Sequence, residues 1–103
     1  MQDERRNNVV TVVAKAVYIE DKVYEAKELI QELVEETCKE KGCISYKLFQ
    51  DINDPKILTL IEEWENRESL DMHIKSDHYN RIIPFIRELR IDTEINIYEE
   101  VIY

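Results

Sequence analysis

Two histidines are the residues of this sequence best suited to acid–base chemistry. Imidazole is the side chain whose ordinary pKa lies closest to neutral pH, and the chain has two, His73 and His78. His73 lies with Leu70 and Ile74 on the apolar side of a predicted helix. It is therefore either a core histidine hydrogen-bonded to the backbone or an acid–base group that lines a cavity. His78 stands at a predicted helix break and is a candidate substrate contact.

The spacing of these histidines argues against a metal site. Five positions correspond to a rotation of about 140° on an ideal helix, so the two rings would face apart. Zinc sites of the HExxH type need a four-residue spacing, and neither Cys38 nor Cys43 is close in the sequence. The single glycine also excludes the glycine-rich loops that bind nucleotide cofactors. We expect neither a metal nor a cofactor.

One face of a predicted strand carries Leu60, Glu62 and Trp64. If helices cover this face, the Glu62 carboxylate must be hydrogen-bonded or have a raised pKa; otherwise it reaches water at the strand end. Trp64 either packs against a helix or forms an aromatic wall for a planar ligand. Tyr46 and Tyr79 could donate hydrogen bonds to a ligand oxygen, although core or interface packing is the commoner use of tyrosine.

Charge and length limit the partners of this chain. Its 103 residues include 14 basic and 23 acidic side chains, a formal net charge of −9. This charge disfavours binding to nucleic acids and to anionic membranes. The longest apolar run, residues 16–19, is too short for a membrane-spanning helix or a signal peptide. We expect a cytoplasmic protein with reduced cysteines, built as a flexible tail over residues 1–8 and a single domain over residues 9–103.

Apolar periodicity predicts the order β-α-β-β-α-β. The predicted strands cover residues 9–19, 44–51, 56–64 and 91–103, and the predicted helices cover residues 21–41 and 66–89. Gly42 should end the first helix in the left-handed conformation. The second helix should break at Ser76-Asp77, and Pro84 should force a further restart or kink. This order predicts an α+β ferredoxin-like fold, a four-stranded antiparallel sheet with the helices on one face.

Strand 9–19 is largely apolar on both faces. Two helices can cover only one face of a four-stranded sheet, so the other face needs a partner. A symmetric sheet-on-sheet contact between two copies supplies that cover. The sequence therefore predicts a homodimer.

Four short motifs, in this order, resemble a known family. They are Gly42-Cys43-Ile44-Ser45-Tyr46, Asp54-Pro55, Glu62-Glu63-Trp64-Glu65 and Leu70-x-x-His73-x-x-Ser76-x-His78. Together they resemble the antibiotic biosynthesis monooxygenase domain, a branch of the dimeric α+β barrels. The resemblance covers about residues 9–78. It implies a dimer that joins the open sheet faces, with a ligand cavity between sheet and helices.

The sequence departs from the haem-degrading branch of that family. This branch resembles the chain in fold but carries an Asn on the first strand, near Ala14–Ala16, and an iron-binding His near Ile83–Phe85. Neither residue is present here. The usual Pro-Gly turn after the first strand is also replaced, by residues 19–22. We therefore expect no haem degradation.

The resemblance implies a cofactor-independent monooxygenase that acts on a small quinol, phenol or other enolisable aromatic together with O₂. In such chemistry the deprotonated substrate itself delivers electrons to O₂. We assign His73 as the acid–base group and Glu62 as the residue that tunes it. The predicted substrate-binding residues are Trp64, Leu60, Tyr46, His78 and Tyr79.

Two other functions fit the same residues. The first is an isomerase or signal-degrading enzyme for a small carbonyl compound, in which His73 and Glu62 would move protons without O₂. The second is a dimeric, non-catalytic module that binds a small ligand. A cavity filled by Trp64 and the tyrosines, too small for an aromatic ring, would favour the module.

Overall fold

Four strands form one antiparallel sheet in the computed structural model, which describes residues 8–103. The strands are β1 (Val10–Tyr18), β2 (Cys43–Gln50), β3 (Ile57–Trp64) and β4 (Arg90–Tyr98), in the spatial order β2-β3-β1-β4. The helices are α1 (Val23–Thr37), α2 (Arg67–Ile74) and α3 (Asp77–Leu89), with a 3₁₀ turn at Glu20–Lys22. This arrangement confirms the ferredoxin-like α+β fold. The predicted tail, residues 1–8, lies outside the described residues except for Asn8.

The core lies between the helices and one face of the sheet. Strand alternation brings Val12, Ala16 and Tyr18 of β1 to this face, where each is at least nine-tenths buried. Helix α1 contributes Ala26, Ile30 and Leu33, which repeat at helical spacing and are almost fully buried. Within residues 8–103, no helix is long and apolar enough to span a membrane.

The helices leave apolar surface uncovered at the β4 edge. Ile95 and Ile97 pair with Ala14 and Val12 of β1 and so share the helix-covered face. Their side chains are nevertheless 54% and 44% exposed. On the opposite, open face, Ile61 of β3 is 37% exposed. The sheet therefore has two partly apolar surfaces that its own helices do not cover.

Most element boundaries differ from the predictions only at the ends. Helix α1 begins after the 3₁₀ turn and ends at Thr37, and β4 ends at Tyr98 instead of reaching residue 103. The predicted break at Ser76 is confirmed, since the Ser76 side chain accepts a hydrogen bond from the Tyr79 backbone N–H and caps α3. The predicted restart at Pro84 is wrong. Helix α3 runs through Pro84, because buried Ile82, Ile83 and Ile86 hold it against the core on both sides.

Gly42 lies in the turn between α1 and β2 and packs against the first turn of α2. Its φ of +93° is the left-handed backbone conformation predicted from the sequence. The predicted role as the end of the first helix is wrong, because α1 already ends at Thr37 and Gly42 directly precedes β2. A Cβ atom at this position would lie 2.1 Å from Ser69 Oγ and 2.6 Å from Ser69 Cβ. The Gly42 carbonyl also accepts a 2.8 Å hydrogen bond from the Glu65 backbone N–H. Both conformation and space therefore require glycine here.

Replacing Gly42 with alanine should destabilise the protein by about 2–4 kcal/mol, because strain at positive φ adds to overpacking against Ser69. Urea unfolding of Gly42→Ala beside wild type measures this loss. The control is Lys41→Ala in the same turn, which should stay within about 0.5 kcal/mol. Equal midpoints for wild type and Gly42→Ala would contradict the role given to Gly42.

Candidate functional site

A cavity of about 170 Å³ lies between the sheet and the helices. Its lining is mostly aliphatic, with side chains from every strand and helix of the fold. The polar groups in the lining include Tyr46, Glu62, His73, Tyr79, Arg87 and Arg90. Glu62, His73 and the two tyrosines were all predicted to belong to one site, and the structure brings them to one cavity.

Glu62 is a buried carboxylate on the cavity wall. It lies on β3 in the middle of the sheet and is only 5% exposed, so it does not reach water at a strand end. Its Oε1 accepts a 3.0 Å hydrogen bond from Trp64 Nε1–H. Burial raises the pKa of Glu62 to about 7; the Trp64 hydrogen bond opposes this shift and the negative charge of Glu40 adds to it. Glu62 can therefore exchange a proton near neutral pH.

His73 is hydrogen-bonded to Glu40 and not to Glu62. The ring is 2% exposed, and its Nδ1 lies 2.6 Å from Glu40 Oε2. Among the described residues, no hydrogen bond joins Glu62 to His73. The predicted tuning role of Glu62 is therefore corrected, since the carboxylate that holds His73 comes from the turn after α1.

Glu40 was not predicted from the sequence. It is 33 positions from His73, and neither periodicity nor spacing connects the two residues. The available signal was its place two residues before Gly42, whose positive φ turns the chain into β2 and whose backbone lies against Ser69 of α2. A carboxylate in such a turn is ordinarily solvated, yet the Glu40 side chain is only 15% exposed.

His78 binds the same carboxylate oxygen as His73. Its Nε2 lies 2.7 Å from Glu40 Oε2 and 3.2 Å from Ser76 Oγ. The expectation that the two rings face apart is wrong, because it assumed one continuous helix. Helix α2 ends at Ile74 and α3 begins at Asp77, and the break brings the ring centroids to 6.1 Å.

These hydrogen bonds determine the tautomer of His73. A carboxylate only accepts hydrogen bonds, so His73 Nδ1 carries the proton and Nε2 is left as an acceptor in the neutral ring. Nε2 has no hydrogen-bond partner within the part of the chain that the structure describes. Burial lowers the pKa of His73, and its contact with Glu40 opposes this shift. His73 thus combines a neutral ring with one available basic nitrogen.

Aromatic rings enclose His73. The centroids of Trp64, Tyr79 and Tyr46 lie 4.7, 5.0 and 5.4 Å from its ring centroid. Burial raises the pKa of the Tyr46 hydroxyl above its ordinary value, so this group stays protonated and can donate a hydrogen bond. These contacts fix the imidazole plane without using its Nε2.

Two of the predicted substrate contacts do not line the cavity. Leu60, Tyr46 and Tyr79 lie in the lining as expected, but Trp64 and His78 do not. Trp64 is fully buried behind His73, where its indole packs on the imidazole and its N–H holds Glu62. The interpretation of Trp64 as an aromatic wall for a ligand is therefore replaced by a supporting role.

Replacing Glu62 with glutamine should stabilise the protein more as the pH rises. The folded pKa of about 7 exceeds the ordinary value of 4.5, so wild type loses stability as the pH rises between these values. Glutamine keeps an acceptor for Trp64 but does not ionise. The free energy of unfolding of Glu62→Gln, relative to that of wild type, should rise by about 3 kcal/mol between pH 4.5 and pH 8.

Urea unfolding at several pH values measures this difference. The control is Glu63→Gln, whose side chain lies on the opposite face of the same strand and is bound by Ser45. This variant removes a carboxylate from the same strand and leaves the buried Glu62 in place. If both variants show the same pH profile, the raised pKa of Glu62 is contradicted.

Comparison with known proteins places this geometry in a family. Residues 9–84 match the family model described as antibiotic biosynthesis monooxygenase. A conserved protein from Methanosarcina mazei Go1 has a similar crystal structure, with 44% identity and a TM-score of 0.91 over 94% of this chain and 97% of that chain. A crystal structure described as antibiotic biosynthesis monooxygenase has 32% identity and a TM-score of 0.85, over 89% of this chain and 98% of that chain.

A similar sequence also occurs in Synechocystis sp. This relative, described as an uncharacterized protein, is 31% identical over 80 residues, which are 77% of this chain and 54% of that protein. The chain thus spans about half the length of the curated relative that it matches. The family model itself matches most of the chain, and the matched residues include strands as well as helices that line the cavity. The chain therefore belongs to the antibiotic biosynthesis monooxygenase family.

Proposed function

We propose that this protein is a cofactor-independent monooxygenase that oxidises a small phenol or quinol with O₂. The observation that supports this proposal best is the available Nε2 of His73 in a mostly aliphatic cavity, with Nδ1 held by Glu40 at 2.6 Å. A base in this position can take the proton of a phenol or enol hydroxyl. The imidazolium that forms would be stabilised by the adjacent Glu40 carboxylate.

The reaction balances with O₂ as the sole oxidant. His73 Nε2 accepts the hydroxyl proton, and the resulting phenolate transfers electrons to O₂ as a C–O bond forms at ring carbon. His73 returns this proton to the peroxide oxygen, which gives a hydroperoxide. The hydroperoxide then loses the ring C–H proton while its O–O bond breaks, so one oxygen stays as a carbonyl and the other leaves as water. A quinol thus becomes a hydroxyquinone. An apolar lining would keep bulk water away from the hydroperoxide.

The size of the cavity favours a substrate with one ring. An engineered protein cavity of about 150 Å³ binds benzene, and the cavity here is about 170 Å³. Trp64 and the tyrosines leave this space open, which favours a ligand-binding site over a filled core. Monocyclic phenols and quinols therefore come before naphthoquinols and anthrones in a substrate screen.

A proton-shuttling isomerase for a small carbonyl compound is the alternative function. It is favoured by Glu62, because this second titratable group, with a pKa of about 7, lies in the same cavity as His73. One residue could remove a proton from carbon while the other returns it elsewhere. Such turnover would not consume O₂, so anaerobic measurement distinguishes the two functions.

Replacing His73 with alanine should lower the turnover of a substrate at least about tenfold, because the base in the cavity is lost. The measurement is O₂ consumption during a screen of monocyclic phenols and quinols, with urea unfolding of each variant. Met72→Ala is the control, since this neighbour on α2 is 69% exposed. Full activity in a folded His73→Ala variant would contradict the proposal, and undiminished anaerobic turnover would favour the isomerase.

We also propose that two copies form a homodimer through their open sheet faces. The proposal is supported by the exposed apolar side chains on this face, Phe49, Ile61 and Tyr98. A specific contact should bury more than about 1,200 Å² in total.

Sedimentation should give a dimer mass that Ile61→Glu, on the open face, shifts towards monomer. Ile52→Glu is the control, because Ile52 is a loop residue that is 97% exposed. A concentration-independent monomer mass for wild type would refute the dimer.

A further inference from the structure

We propose that Glu40, His73 and His78 form a binding site for a divalent transition-metal ion such as Zn²⁺. The proposal does not rest on the proposed oxidation, which uses no metal, but the two share His73 and Glu40. Protein that holds the ion would lack the free Nε2 of His73. The three candidate ligand atoms, one carboxylate oxygen and one nitrogen from each ring, all lie within 4.8 Å of one another. The expectation of no metal rested on rings that face apart, and the break between α2 and α3 removes that ground.

Coordination requires side-chain movements of about 1 Å from the present geometry. Oε2 of Glu40 lies 2.6 Å from His73 Nδ1 and 2.7 Å from His78 Nε2. Around a tetrahedral zinc ion, with ligands at about 2.0–2.1 Å, neighbouring ligand atoms are about 3.3 Å apart. The carboxylate must therefore withdraw by about 0.6–0.7 Å from each ring. The two ring nitrogens, which lie within 4.8 Å of each other, must come closer by up to about 1.5 Å. Glu40 is in a turn and the side chain of His78 is partly exposed, so rotation about their side-chain bonds can provide these movements.

The donor set fits a zinc-type ion. Two imidazoles and one carboxylate are common ligands of Zn²⁺, and three protein ligands leave a fourth position for water. Hard ions such as Mg²⁺ prefer all-oxygen sites, whereas imidazole suits zinc and its first-row neighbours. Both rings would bind as neutral imidazoles, with their protons moved to His73 Nε2 and His78 Nδ1.

His73 is held rigidly, and His78 is accessible from solvent. The ring of His73 is 2% exposed and packs against Trp64 and Tyr79, so little side-chain freedom would be lost on binding. The side chain of His78 is 17% exposed, which gives the ion a route from solvent. The adjacent surface groove contains Glu40 together with other acidic side chains, and the chain carries a net charge of −9. This charge attracts cations.

A zinc titration of the whole metal-free chain tests the proposal without any substrate. Calorimetry, with competition by a chromophoric chelator, should give one Zn²⁺ per chain. Glu40→Gln and His78→Asn each remove one ligand and should weaken binding at least about tenfold, the size expected for loss of even an outer partner of a metal ligand. Glu36→Gln is the matched control, because this exposed glutamate lies nearby on α1 and pairs with Lys39. It should bind zinc as wild type does.

Circular dichroism of each variant identifies those that remain folded, and one folded ligand variant is enough to decide. Weakened binding in that variant, with Glu36→Gln unchanged, supports the site. Wild type that binds zinc no more tightly than the folded ligand variant overturns it. An equal loss in Glu36→Gln also overturns it, since binding would then follow surface charge. Co²⁺ gives a second readout, because a tetrahedral site should produce visible absorption bands that the ligand variants lose.

Discussion

One carboxylate oxygen, Oε2 of Glu40, accepts hydrogen bonds from two imidazoles at 2.6 and 2.7 Å. This shared acceptor joins the turn after α1 to the end of α2 and the start of α3. Hydrogen bonds to an ionised acceptor are stronger than neutral ones, so the bridge resists separation of these segments. It also decides which nitrogen of His73 carries the proton. The orientation of His73 in the cavity wall therefore depends on a residue that does not line the cavity.

Burial of Glu62 in the cavity wall helps to exclude water but lowers the stability of the folded protein. The aliphatic lining that can exclude water also removes solvation from Glu62, and its raised pKa expresses that cost. Trp64 offsets part of the cost with its N–H and packs behind His73 with the same indole ring. One fully buried tryptophan thus supports both titratable groups of the cavity. This double contact explains why the largest aromatic side chain lies behind the site instead of facing a ligand.

Local patterns in the sequence were enough to predict the sheet and the helices, and to group the residues that share each face of β3. The helix break at Ser76 was also predictable, because the side-chain oxygen of a cap acts within three residues. The contact between Glu40 and His73 was not, since it depends on how two distant chain segments meet. Alternation placed Trp64 on the correct face but could not show its depth. At Pro84 the local pattern predicted a break that is absent, because tertiary packing overrides the local preference of proline.

Gly42 has a consequence for how this site can change during evolution. Its missing side chain lets the turn after α1 lie against Ser69, and its carbonyl is tied to the Glu65 backbone. Glu40 stands two residues before this fixed point, so its distance from the imidazoles depends on the number of intervening residues. A one-residue insertion between Glu40 and Gly42 would displace the carboxylate while both neighbouring elements stayed intact. Relatives that differ in loop length at this position would keep the fold and lose the histidine bridge.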